Sequence, residues 1–223
     1  MKKIKFFIGF LLIIAIGVGI YYFSQKYFQE NAILKKMISR LEADSRVAEV
    51  LVTDVHFDER LKLTYTTIKL LEYDTRGIPL PAKYFTFSGN IIQFQSLVIR
   101  FDDLYVRQAD QLRGKSVYLF WKVFLLDGKN TQEYEITKFN EVPDGYRVED
   151  HPSTFERKLW KEFWSYALDP AKAKKMGIKN AQIEAPGSMF KPGHLYTIKI
   201  EHDGGLRIDA TALPTILKGE KIL

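Results

Sequence analysis

The chain has 223 residues, 46% of them hydrophobic and 14% aromatic, and carries 33 basic against 27 acidic side chains for a net charge of +6. That composition can bury a core and excludes a disordered, highly charged chain. There is no cysteine, which rules out a disulfide framework, a thiol nucleophile and a lipid-bearing N-terminal cysteine.

Lys2, Lys3 and Lys5 lead into an unbroken apolar run over residues 6–23. At about 1.5 Å per residue this run makes a helix of roughly 27 Å, enough to cross a hydrocarbon core. The positive-inside bias then holds the first residues in the cytoplasm and sends everything after Phe23 across the membrane. A cleavable signal peptide is the alternative, but Gly17 and Gly19, which have the spacing of a cleavage site, fall inside the run. Tyr21, Tyr22 and Phe23 resemble the interfacial aromatic belt of a true span. Residues 1–23 are therefore expected to be a signal anchor touching lipid through residues 6–23. The three lysines account for half of the basic excess, and the remaining +3 is too little for a nucleic-acid footprint. None of Asn31, Asn90, Asn130, Asn140 and Asn180 has Ser or Thr two residues on, so no glycosylation acceptor exists. With the missing cysteines this favours a bacterial envelope, with the soluble part in the periplasm or at the cell surface.

Residues 24–45 lack Gly and Pro and place Tyr27, Leu34, Met37/Ile38 and Leu41 at three-to-four spacing. They read as a helical stalk, either a short coiled coil that pairs copies or a spacer packed on its own domain. From residue 46 the period changes. Leu51, Val55 and Phe57 alternate with Val50, Val52, Asp54 and His56, and residues 61–73 are again β-branched and aromatic, which predicts a hairpin. Residues 84–88 and 91–101 around Gly89-Asn90 predict a second hairpin, and 116–126 with 131–139 a third. Residues 102–115 are polar, with a helical turn expected around Leu104–Leu112.

Turn signals at 141–152 mark a sub-boundary. Ser153-Thr-Phe-Glu156 then matches a capping box, opening a helix that runs to Asp169 with Phe155, Leu159, Trp160, Phe163, Trp164 and Ala167 on one side. Pro170–Met176 makes a further helical turn closed by Gly177. Gly187-Ser188 reads as loop, and residues 194–202 with 206–210 form a last hairpin around Gly204-Gly205. The expected fold class is α+β: an anchor and stalk, then a mainly antiparallel β domain over 46–223 with one amphipathic helix packed on it.

Chemistry-bearing residues are sparse. Asp54, His56 and Asp58 sit at i, i+2, i+4, so on a strand they share a face and could ligate a metal or pair a base with its acid. The same triplet lies at a hairpin tip, where polar side chains are ordinarily just solvated, and a fourth ligand is missing nearby. Arg157, Lys158, Lys161, Lys172, Lys174, Lys175 and Lys179 form the one dense basic region. It is either a solvated helix face or a contact for an anionic surface. No cofactor motif is present. Two functions remain open: a non-enzymatic envelope module for binding, scaffolding or assembly, with a protein partner or a second copy, and an anchored hydrolase or metal-dependent enzyme at Asp54, His56 and Asp58.

Overall fold

The computed structural model describes residues 14–26, 28–29, 48–74, 77–101, 116–126, 131–148, 151–175, 178–200 and 205–217. Helix α1 takes in residues 14–26 and 28–29. No helix among the described residues is long and apolar enough to cross a membrane, so the expected span at 6–23 is not supported here, and residues 6–13 of it lie outside the described part. Most of the expected stalk, from residue 30 on, and residues 102–115 lie outside it too, as does Gly177.

Among the described residues ten strands build two antiparallel sheets. β1 (Ala48–Asp58), β2 (Leu63–Glu72), β3 (Lys83–Phe87), β9 (His194–Ile200) and β10 (Leu206–Ala212) form the first, in the order β10-β9-β1-β2-β3. β4 (Ile91–Phe101), β5 (Ser116–Leu125), β6 (Glu133–Glu135) and β7 (Ile178–Glu184) form the second, ordered β6-β5-β4-β7, with β8 (Gly187–Met189) also on β4. Ala48, Val50, Ile68, Leu70 and Phe87 from the first sheet meet Ile92, Phe94, Val98, Phe120 and Val123 from the second in one core. That is a sandwich, because each sheet turns its apolar side chains toward the other.

Helices α2 (Thr154–Leu168) and α3 (Pro170–Lys175) cover part of the second sheet's outer face. There Leu97 and Leu119 pack with Trp160, Trp164, Ala167 and Ala173 in a second core. Ser153 caps α2 as its sequence predicts, its hydroxyl accepting from Glu156 N–H at 3.1 Å. The Glu156 carboxylate reaches further back than a capping box requires. Buried to 1% exposure, it accepts from Val148 N–H at 2.9 Å and ties the preceding loop to the helix.

The mainly antiparallel α+β expectation holds, and three of its details are corrected. The segments around Gly89-Asn90 are not a hairpin: β3 pairs with β2 and β4 with β5, so this turn carries the chain between sheets. Its close fit explains the glycine, since a Cβ on Gly89 would lie 3.1 Å from Leu125 Cδ1. Gly187-Ser188 belongs to β8 rather than to a loop, and Gly187 is needed there because a Cβ would meet Gln93 Cγ at 2.6 Å. The period-two alternation in β1 also breaks. A bulge between Val52 and Asp54 shifts the register, so Val52 opposite Ile68 and Val55 opposite Thr66 lie on the same side of the sheet.

Candidate functional site

The triplet at the end of β1 is only partly brought together. Asp54 and His56 meet, with Oδ2 2.8 Å from Nδ1, and both side chains are more than half exposed. The His56 ring stacks on Tyr65 across the hairpin at 5.4 Å. Asp58 does other work: its Oδ1 accepts the backbone N–H groups of Arg60 and Leu61 at 2.9 and 2.8 Å. An aspartate holding a turn in this way is the ordinary chemistry of a hairpin tip. Among the described residues no three His, Asp or Glu side chains gather as a metal would need.

A more developed arrangement lies beside α2. Residues 158, 161, 162, 165, 168 and 169 follow helical spacing and face away from the buried row at 156, 160, 164 and 167. They line one wall of a cleft of about 560 Å³, whose opposite wall is Phe139 and Asn140. Trp164 lies between the two walls and joins them. Its Nε1–H donates to the Glu141 carbonyl at 3.0 Å, and Phe139 meets its ring edge-on with centroids 5.4 Å apart. The turn before Glu141 needs a left-handed residue, and Asn140 supplies it at φ 64°. The result is an apolar floor of Phe139 and Leu168, with Trp164 fully buried behind them.

The rim is charged. Lys158 and Lys161 on it, and Arg157 beyond it, are exposed and have no ion-pair partner among the described residues. Lys172 turns back to donate to Ser165 Oγ at 2.9 Å. Asp169 is engaged with the backbone of α3, its Oδ1 accepting from Ala171 and Lys172 N–H. Glu162 is the remaining carboxylate of the cleft. On the far side of Asn140 a smaller hollow of about 230 Å³ is lined by Arg147, Arg157, Glu141, Val142 and Pro152. Of the predicted basic region, Lys158 and Lys161 thus line the cleft, Lys172 reaches Ser165 in its wall and Arg157 lines the neighbouring hollow. Lys174 and Lys175 fall in α3 and Lys179 in β7, with side chains outside the described part.

Phe139, Asn140 and Leu168 carried no signal in the sequence. They matter only because residues 138–142 fold back against α2, a contact more than twenty residues apart for Trp164 and Glu141. Comparison with known protein families, curated proteins and solved structures gives no match to this chain.

Proposed function

We propose that this is a non-enzymatic, membrane-anchored envelope protein whose β-rich domain, held outside the cytoplasm by residues 6–23, is a binding module. The anchor rests on the Lys2, Lys3, Lys5 and apolar pattern of the sequence. The stalk over residues 24–45 spaces the domain from the membrane and, through Tyr27, Leu34, Ile38 and Leu41, pairs copies. One observation carries the binding reading: an apolar floor rimmed by unpaired cations, beside α2. Such a surface suits a partner segment that offers one apolar side chain flanked by carboxylates, since a buried apolar anchor supplies affinity and peripheral charge supplies orientation. Asp58, tied to its own turn, speaks against the enzyme at Asp54, His56 and Asp58.

The test is a titration of the full chain in detergent with a short peptide of aspartates and glutamates around one phenylalanine, read by tryptophan fluorescence. Binding weakened by Lys158→Glu and Lys161→Glu, and absent for a lysine-flanked phenylalanine peptide, supports the reading. Equal response to both peptides, or to neither, contradicts it.

A further inference from the structure

The β1–β2 hairpin outruns both of its neighbours. β9 pairs with β1 only from Ala48 to Leu51, and β3 pairs with β2 only from Thr66 to Leu70. The pairs from His56↔Tyr65 to Asp58↔Leu63 therefore form a two-stranded ribbon, and the β1 edge away from β2 is already open from Val52 on. A two-stranded ribbon is marginal by itself in water. This end of β1 also leaves Val55 43% and Phe57 56% exposed, on the side that is core elsewhere in the strand. The open edge of β1 covers residues 52–58, and no other described segment pairs with it.

We propose that this edge pairs antiparallel with the same edge of a second copy, about a two-fold axis at Val55. The sequence of the edge is what selects a second copy. Its midpoint is Val55, and on either side stand Asp54 and His56. Antiparallel pairing about that midpoint sets each Asp54 opposite the other copy's His56 and Val55 opposite Val55. A two-fold axis normal to the sheet keeps matched residues on one face, as the pleat requires. On the outer face two Asp–His pairs form, and each imidazole keeps its present contact with its own Asp54 at 2.8 Å. On the inner face two valines meet with Phe57 diagonal to them, covering the exposed apolar side chains. Polar Asp–His and apolar cross-strand pairs both stabilise such a ladder, and the backbone groups of alternate residues over 52–58 gain partners. The register one pair further out sets Asp54 against Asp58 and is disfavoured by like charge. The bulge at Thr53 bends the ribbon from the regular sheet path, and that keeps the edge reachable.

The chain has no cysteine, so single substitutions report cleanly. In the full chain, in membranes, Val55→Cys is expected to give a disulfide-linked dimer on mild oxidation, because matched Cα atoms in an antiparallel pair lie about 4.5–5.5 Å apart. Glu59→Cys should not, since its mate lies roughly 27 Å away along the strands. In the Val55→Cys background, His56→Asp should cut the dimer about tenfold. Adding Asp54→His, which restores opposite charges, should bring it back. Equal crosslinking at Val55→Cys and Glu59→Cys overturns the proposal, because only a parallel alignment of the two β1 edges sets both positions beside their mates. A Val55→Cys chain that stays monomeric, or that links to a different polypeptide, overturns it as well.

Discussion

Trp164 donates its indole N–H to the carbonyl of Glu141 at 3.0 Å, and that one bond fastens helix α2 to the loop that forms the opposite wall of the cleft. The ring itself is fully buried and also takes Trp121 edge-on at 5.9 Å. Trp164 is therefore the part of the core that holds the two walls together.

Trp164→Ala is expected to destabilise the chain by about 3–5 kcal/mol, the usual cost of truncating a buried large aromatic. Trp164→Phe retains most of the apolar volume but leaves the Glu141 carbonyl without its donor, for a smaller loss of about 1–3 kcal/mol. Lys161→Ala, on the exposed face, should change stability by less than about 0.5 kcal/mol. Thermal or denaturant melting of the three variants gives the order, and a Trp164→Ala chain as stable as Lys161→Ala contradicts the packing.

The start of the same helix depends on two groups. Ser153→Ala removes the cap and should cost about 1 kcal/mol. Glu156→Ala should cost about 1–3 kcal/mol, because Val148 N–H loses a charged acceptor that is itself buried. Glu156→Gln keeps an acceptor and should fall between wild type and Glu156→Ala. Identical melting of Glu156→Ala and wild type contradicts the clamp.

Much of this arrangement was legible in the sequence, and the exceptions share a cause. The Ser153 cap and the Trp160, Trp164, Ala167 row follow from local spacing, and the β1–β2 hairpin from patterns within twenty-five residues. The β3-to-β4 crossover was not legible, because Gly89-Asn90 suits a hairpin as well as a sheet change and the pairings that decide, β3 with β2 and β4 with β5, are made with other strands. The inward turn of Val55 was hidden by the bulge at Thr53, since one extra residue inverts a period of two. Glu156 reads locally as the far end of a capping box, and its partner Val148, eight residues back, lies outside that motif. The cleft needed Phe139 and α2 together, a relation that no local pattern encodes.

Alkaline stability should depend on Tyr73. Its hydroxyl donates to Glu49 at 2.7 Å, and that bond, with burial, pushes its pKa up to about 12 from 10.0. Between those values the folded chain keeps a proton that the unfolded chain has released, so stability falls as pH rises. The contribution is complete below about pH 10 and gone above about 12. The difference in Tm between wild type and Tyr73→Phe is expected to be constant up to pH 10 and to shrink above it. A difference that widens above pH 10 contradicts the assignment.

The hairpin tip should be indifferent to metal. With Asp58 holding Arg60 and Leu61 N–H, only Asp54 and His56 remain to ligate, and two exposed ligands bind weakly. Zinc, manganese or a chelator should leave Tm unchanged in wild type and in Asp54→Ala alike. Stoichiometric metal in the purified chain, lost with stability in Asp54→Ala, would restore the enzyme reading.

The reading of an anchored domain that offers its α2 cleft outside the cytoplasm is tested most directly by labelling one cysteine in the cleft wall. Lys161→Cys provides it, because residue 161 is exposed, lines the cleft and stands in a chain without other cysteines. A maleimide that cannot cross the inner membrane should label this variant in intact cells, or in cells with only the outer membrane permeabilised. Labelling that occurs only after the inner membrane is broken would put the cleft in the cytoplasm and contradict the anchored binding module.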